Sequence, residues 1–357
     1  ACPCVVGLAT PVALAAGLNK AARNHILIRD TSALEQMRNV DVVVFDKTGT
    51  LTEGHPTVIG WLWAQGQEEH YKDVLLAAES TSDHPLAEAI VTALEGEEQV
   101  IPAHLDGFEN ITGKGVRVAY QGAEYWVGSH KLLKDYQANL SDILADMLTQ
   151  YESDGNSIVY FGRENDLLAV IAIKDQLRVT SMEAIRELRT QDIEICMLTG
   201  DGERTASSVA GSLGIMRFVA DAMPDDKEDF IHKLQLQGKT VAMVGDGVND
   251  AQALSCADVS IAMGKGTDTL MDTAMITLRT SDLLLLPKVF RLSRQTVSLM
   301  YRNLFWAFIY NTVGIFVAAG VLYPVYDILL SPALAGAAMA LSCVSVALSS
   351  LRLSSRF

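Results

Sequence analysis

At 357 residues the chain is long enough for two or three domains, each with its own core. Its 43 acidic and 28 basic residues leave a net charge of −15, which argues against a nucleic-acid partner because phosphate backbones select basic surfaces. Mean hydropathy is +0.21 despite that charge, so the apolar residues are concentrated in part of the chain, and a membrane is the place for them. The cysteines are Cys2, Cys4, Cys196, Cys256 and Cys343; an odd number in a long chain points to a reducing compartment rather than to a disulfide framework. The chain opens on Ala in apolar sequence, with no charged leader or cleavage site, and reads as a fragment.

Residues 1–18 are apolar or small throughout and predict a membrane span. From about 24 to 287 the pattern changes to apolar runs that end in polar residues: VDVVVFD (40–46), LLAVIAIKD (167–175), IEICMLTGD (193–201), TVAMVGDG (240–247) and ADVSIAMG (257–264). Helical stretches at 181–189 and 203–214 fall between them. Strand alternating with helix predicts a parallel sheet with crossover helices, whose ligands bind at the carboxyl ends of the strands. Asp46, Thr199, Asp201 and Asp246 all fall there. The alternation breaks at 55–166, an acidic, glycine-punctuated stretch that reads as an inserted α+β domain. Residues 304–322 and 328–348 predict two further spans, joined by YPVYD. Lys20, Arg23, Lys288, Arg291, Arg294, Arg302, Arg352 and Arg356 flank the three spans on one side, which the positive-inside rule assigns to the cytosol. Trp306 and Tyr323 fall near the ends of the second span, where amphipathic rings prefer the interface.

The chemistry centres on Asp46. An aspartate at a strand tip, followed by small residues whose N–H groups can hold an anion, is placed to attack phosphorus or to bind a metal. Asp246, in GDGVND, ends another strand of the same sheet. Two carboxylates converging on one point call for a cation between them, and Mg²⁺ takes few carboxylates plus phosphate oxygens. Thr199 and Lys227 offer a hydroxyl and an ammonium for the phosphoryl oxygens. Hydrolases of the haloacid dehalogenase type often carry a second aspartate two positions after the nucleophile as general acid and base; here that position is Thr48. An acyl phosphate at Asp46 is then expected to persist. Lys47 either adds positive charge beside a triphosphate or is solvated.

Taken in order, DKTGTLTEG, MLTGD, MPDDK and GDGVNDAQAL resemble the phosphorylation-domain signature of P-type ATPases, and the resemblance runs the length of the chain. It implies a haloacid dehalogenase-like Rossmann-type phosphorylation domain with an inserted nucleotide-binding domain and transmembrane helices. The implied boundaries are 1–23 for a membrane helix, 24–54 and 167–287 for the two parts of the phosphorylation domain, 55–166 for the insertion and 288–357 for two C-terminal membrane helices. It further implies that Asp46 is phosphorylated, that Thr199 and Lys227 contact the phosphoryl group, and that Asp46, the Thr48 backbone and Asp246 hold Mg²⁺, with Asp201 and Asp250 in the same cluster. Gln252 stands where the family usually has Pro. The insertion has no Walker sequence, because Lys233 occupies the position of the upstream Gly before GKT. Instead ESTSDHPLAEAI and ITGKGV are similar to the nucleotide signatures of the heavy-metal branch and imply Glu79, His84, Gly113 and Gly115 around the adenosine of ATP.

Cys2-Pro3-Cys4 lies in the first span. Residues two apart on a regular helix face nearly opposite ways, but Pro3 interrupts the ladder and lets the two sulfurs turn toward one ion. Soft thiolates select Cu(I) foremost, then Zn²⁺ and its relatives. Tyr310 and Asn311 in the second span, and Met339, Ser342 and Cys343 at i, i+3 and i+4 in the third, add a thioether that suits Cu(I) better than Zn²⁺. The YN and MxxS pairs resemble the Cu(I) group of heavy-metal P-type ATPases. Cys343 stands where that group usually has a second Ser, which either widens tolerance to Ag(I) or changes nothing.

The sequence is therefore expected to belong to a Cu(I)-exporting pump of a bacterial inner membrane with its catalytic domains in the cytosol. Lipid and a cytosolic copper chaperone are the expected partners. The actuator domain with its TGE loop and the N-terminal helices of the family are not in this sequence, so the chain is expected to bind nucleotide without completing transport. The rivals are a Zn²⁺ or Cd²⁺ pump, a haloacid dehalogenase-type phosphohydrolase, against which Thr48 and the spans speak, and a non-catalytic metal-binding membrane module.

Overall fold

The computed structural model describes residues 3–64, 68–82, 84–97, 100–138, 142–246, 250–264, 274–321 and 331–355. In chain order, α1 (Pro3–Arg23), β1 (Ile26–Ile28) and α2 (Ser32–Arg38) lead to β2 (Val42–Asp46) and a π-type turn at Lys47–Leu51. Then follow β3 (Thr57–Trp63), α3 (Glu68–Glu79), α4 (Pro85–Glu95), β4 (Gly107–Ile111), β5 (Gly115–Tyr120), β6 (Ala123–Gly128), α5 (His130–Asp135), α6 (Asp142–Ser153), β7 (Ser157–Arg163) and β8 (Asp166–Lys174). Next are α7 (Ser181–Arg189), β9 (Glu194–Leu198), α8 (Glu203–Leu213), β10 (Arg217–Val219), α9 (Pro224–Leu236), β11 (Val241–Gly245), α10 (Ala251–Cys256), β12 (Val259–Met263) and β13 (Ile276–Leu278). Two long helices close the chain, α11 (Leu285–Ala318) and α12 (Pro332–Ser355).

Seven strands form one sheet in the order β1-β13-β12-β11-β2-β9-β10, parallel except for the β1–β13 edge pair. Helices cover both faces, which is why the central strands read as unbroken apolar runs. Val43 and Phe45 of β2 enter one core with Ile195 and Val244, while Val42 and Val44 enter the opposite core with Cys196 and Met243. That two-sided burial pins β2 between β9 and β11, so that Asp46 pairs in register with Leu198. A slip of one residue would exchange the two packed faces.

The second sheet is fully antiparallel, in the order β3-β8-β7-β6-β5-β4. The run 167–175, expected as a strand of the parallel sheet, is instead β8 of this one. It lies between β3 and β7, and Thr57 pairs with Lys174 where the chain enters and leaves the insertion. The reason is burial on both faces: Ala169, Ile171 and Ile173 pack on one side, and Leu167 and Val170 on the other. Such a strand has the same unbroken apolar run as a parallel one. The insertion therefore extends through Lys174, past the expected boundary at 166.

The boundary at 288 also moves. Leu285, Leu286, Val289, Phe290 and Leu292 of α11 belong to the core of the parallel domain. Further along the same helix Phe305, Trp306, Phe308, Val313 and Phe316 are exposed. One unbroken helix of 34 residues, about 50 Å long, thus joins the catalytic core to the second expected span. α1 packs against α11 and α12, closely enough at Gly17 that a Cβ there would lie 2.6 Å from Thr296 Oγ1. Among the described residues, one helix is long and apolar enough to cross a membrane by length and composition, Ala333–Leu353 within α12. The first expected span is helical from Pro3 onward, so Pro3 opens the described helix and Pro11 is the proline inside it. Cys2, the YPVYD loop and Tyr323 lie outside the described residues, as does the side chain of Cys4.

Candidate active site at the carboxyl edge of the parallel sheet

β2 and β11 deliver Asp46 and Asp246 to one edge, and Asp250 joins them at the start of α10. One carboxylate oxygen from each lies within 4.8 Å of the others. Lys227, in the first turn of α9, places Nζ 2.5 Å from Asp46 Oδ1 and 2.7 Å from Asp250 Oδ1. Burial pushes the Asp246 carboxyl up to about 7, with Asp46 and Asp250 adding to the shift. Burial also raises Asp250, helped by Asp46 and opposed by Lys227. Lys227 is held above the usual ammonium range because Asp46 and Asp250 outweigh its burial. Lys227 pairs with Asp46 and Asp250, and Asp246 has only the nearby Arg178 charge to oppose its neighbours, so the three crowded carboxylates leave room for a further cation. Its hard oxygen donors fit Mg²⁺, with Asp46, Asp246 and the Thr48 carbonyl as the residues that would hold it.

The loop after Asp46 is shaped by Gly49, whose φ of +70° suits glycine. A Cβ there would fall 1.4 Å from Asp246 Oδ2, so the backbone lies directly against that carboxylate. Thr52 Oγ1 accepts from Gly49 N at 2.9 Å and donates to Asp175 Oδ2 at 2.5 Å. Buried Arg178 donates to the carbonyls of Thr50 and Gly49, and Ser181 Oγ donates to Leu51 O at 2.7 Å. Asp175, Arg178 and Ser181 escape the sequence reading, although Asp175 closes the run 167–175 and so carries the strand-tip signal that marked Asp46.

Lys47 is not solvated. It is 3 % exposed, with Nζ 2.5 Å from Asp201 Oδ2 and 3.2 Å from Ser157 Oγ. Asp201 also accepts from Ser157 Oγ at 2.8 Å and from Thr199 Oγ1 at 3.0 Å. These bonds hold Asp201 below the usual carboxylate range against the cost of its burial, with Lys47 the leading opposing charge. Because Ser157 begins β7, this buried cluster ties the insertion to the parallel domain. Thr48 is half-buried beside it.

In the insertion, Glu79 ends α3 and is buried, and burial pushes its carboxyl up to about 8. His84 N-caps α4, its Nδ1 accepting from Leu86 N at 3.2 Å with Pro85 at the first helical position. It lies close enough to Asp201 and Lys47 to feel both charges. Gly113, at φ +69°, sits in the β4–β5 turn, where a Cβ would meet Met223 Cε at 2.5 Å. Gly115 lets β5 approach β6, where a Cβ would lie 2.1 Å from Val127 O. The ITGKGV turn thus closes onto the segment just before Lys227, and Lys131 Nζ donates to Asp221 O at 2.7 Å beside it.

The residues expected to hold the cargo are less closely associated. Tyr310 is exposed on α11 and stacks on Trp306, and Asn311 Nδ2 donates to Ala307 O at 2.9 Å. Met339 is exposed on α12, whereas Ser342 is buried and donates to Met339 O at 2.8 Å. Cys343 packs with Ala307 and Val346 between the helices.

A family model for haloacid dehalogenase-like hydrolases matches residues 40–258. A copper-exporting P-type ATPase of Legionella pneumophila subsp. pneumophila is 43 % identical over 353 residues, covering 99 % of this chain and 48 % of the relative. A silver exporting P-type ATPase of Salmonella typhimurium is 44 % identical over 358 residues, covering 99 % and 43 %. Among solved structures, a zinc-transporting PIB-type ATPase in the E2.Pi state has a TM-score of 0.69 at 35 % identity, covering 99 % of this chain and 56 % of that one. The catalytic domain of the CPx-ATPase CopB-B has a TM-score of 0.63 at 28 % identity, covering 76 % and 96 %. The chain spans about half the length of the curated relatives it matches.

Proposed function

Because the chain belongs to the haloacid dehalogenase-like hydrolases and, within them, to the P-type ATPases, we propose that it carries the catalytic domains of an ATP-driven Cu(I) exporter working through an aspartyl phosphate. The observation that carries this reading is the convergence of Asp46, Asp246 and Asp250 at the carboxyl edge of a parallel sheet, with Lys227 bridging Asp46 and Asp250. Asp46 attacks the γ-phosphorus of ATP; the bond to the β–γ bridging oxygen breaks, and ADP leaves. Lys227 and Thr199 stabilise the charge on the transferred phosphoryl oxygens. Asp46, Asp246 and the Thr48 carbonyl would hold Mg²⁺, which would supply further positive charge to the phosphates. Asp250 keeps Lys227 in place. Lys47 orients Asp201, which in turn holds the Thr199 hydroxyl, so Lys47 is a positioning residue. Glu79, His84, Gly113 and Gly115 surround the adenosine, and the contact of the ITGKGV turn with Met223 brings that pocket toward Asp46.

The cargo assignment rests on the copper- and silver-exporting relatives and on the soft donors of the spans. Cys2 and Cys4, with Tyr310, Asn311, Met339 and Ser342, carry Cu(I), with Ag(I) as its congener. The continuous helix α11 transmits the state of the phosphorylation domain to these spans. The chain resides in a bacterial inner membrane with the catalytic domains in the cytosol, and a copper chaperone supplies the ion. A Zn²⁺ cargo is the second reading, favoured by the similarity to the zinc-transporting structure. The test is incorporation of γ-phosphate from ATP into the intact transporter as an acid-stable, hydroxylamine-sensitive label. Labelling is expected to require Cu(I) rather than Zn²⁺ and to vanish in Asp46→Asn; label surviving that substitution would refute the assignment.

A further inference from the structure

We propose that Glu228, His232 and Cys256 form a metal site for a borderline divalent cation, Zn²⁺ foremost, which clips α9 to α10 behind the phosphorylation site. Glu228 and His232 are four residues apart on α9 and therefore stack on one face, with His232 Nε2 3.5 Å from Glu228 Oε1. Cys256 is the last residue of α10, which packs against α9. One ligand atom from each lies within 4.8 Å of the other two. A tetrahedral zinc with bonds of about 2.0–2.3 Å needs its ligands about 3.5 Å apart. Rotation of the exposed His232 and the half-buried Glu228 and Cys256 closes that difference.

A second observation shows that the histidine is already oriented for a ligand. Gln235 Nε2 donates to Cys256 O at 2.8 Å and to Asp258 Oδ2 at 3.3 Å, which makes its Oε1 the acceptor facing His232 Nδ1 at 3.1 Å. In the neutral ring that contact places the proton on Nδ1 and leaves Nε2 as the ligating nitrogen. His232 Nε2 lies 3.5 Å from Glu228 Oε1, and the Cys256 thiol hydrogen-bonds the same carboxylate, so an imidazole nitrogen, a carboxylate and a sulfur converge on one point. A neighbouring amide that fixes the tautomer is the support ligating histidines receive. The donor set is one thiolate, one imidazole and one carboxylate, which suits Zn²⁺ better than Mg²⁺, and its single sulfur suits it better than Cu(I).

The position gives the site a consequence, which rests on the function proposed above. α9 begins beside Lys227 and α10 begins at Asp250, the ion pair that positions Asp46. A metal joining Glu228, the residue after Lys227, and His232 to Cys256 at the end of α10 fixes the packing of the two helices that carry this pair.

The test uses the full chain in detergent with Cys2→Ser and Cys4→Ser, so that the expected cargo thiols do not contribute, and Co²⁺ as a coloured stand-in for Zn²⁺. One equivalent of Co²⁺ with a thiolate charge-transfer band is expected, displaced by one equivalent of Zn²⁺. The band is expected to be lost in Cys256→Ser and in His232→Asn, and the affinity to fall about tenfold or more in Glu228→Gln, with far-UV circular dichroism unchanged. Cys256→Ala and His232→Gln serve where a first variant does not fold. Absence of the band in the parent, or its persistence in the Cys256 and His232 variants, overturns the proposal. Neither readout uses ATP, so failure of the phosphorylation reading leaves the result intact.

Discussion

The Lys227 ammonium lies 2.5 Å from Asp46 Oδ1, although 181 positions separate the two residues in the chain. It also pairs with Asp250 at 2.7 Å, so one buried cation compensates two buried anions. Lys227→Met keeps the volume and removes the charge, leaving both carboxylates uncompensated. Breaking a buried pair in this way is expected to cost about 3–5 kcal/mol, read as an earlier urea transition by far-UV circular dichroism. The loss in the double variant with Asp250→Asn is expected to be smaller than the sum of the two single losses. Strict additivity would show that the pair is not coupled.

The carboxyl of Asp246 is raised to about 7 by burial and by Asp46 and Asp250, whereas an unfolded aspartate titrates near 3.9. Between about pH 4 and pH 7 the folded chain therefore holds a proton that the unfolded chain has released, and stability falls as pH rises through that window. Glu79, raised to about 8 by burial, adds the same sign. In chelator the melting midpoint is expected to decline across this range, and Mg²⁺ is expected to restore it at the upper end. Asp246→Asn should remove part of the slope and leave the parts due to Asp250 and Glu79. A midpoint that rises with pH, or an unchanged slope in Asp246→Asn, would count against the charge-crowded site.

Gly49→Ala introduces a methyl where 1.4 Å separates it from Asp246 Oδ2, at a φ of +70°. The backbone strain alone is about 1–2 kcal/mol, and the larger effect is displacement of Asp246. Phosphoenzyme formation is expected to fall at least tenfold, with a higher Mg²⁺ requirement and unchanged far-UV circular dichroism. Normal labelling would mean that the loop moves away from Asp246 without consequence.

Thr48→Asp places an acid two residues after Asp46, at a half-buried position beside the site. General acid–base catalysis contributes about 10²–10⁴-fold. Decay of the acyl phosphate, followed after chasing with unlabelled ATP, is expected to accelerate by at least an order of magnitude. No change would show that residue 48 does not reach the water that attacks the acyl phosphate.

The acidic tips of β2 and β11 were legible in the sequence because each depends on a short local pattern, an apolar run that can be buried on both faces and ends in a carboxylate. The order of motifs around Asp46, Thr199, Lys227 and Asp246 is likewise a property of the chain alone. Only the tertiary structure decided which sheet the run 167–175 joins, since a two-sided core strand has no period that tells parallel from antiparallel neighbours. The same holds for Lys47: its neighbours in sequence say nothing of Asp201 and Ser157, whose approach follows from packing the two domains together. The meeting of His232 with Cys256, and the continuity of α11 from core to apolar surface, arise in the same way. Propensity and hydrophobic pattern act over a few residues, whereas partner choice is set by the burial that the whole chain achieves at once.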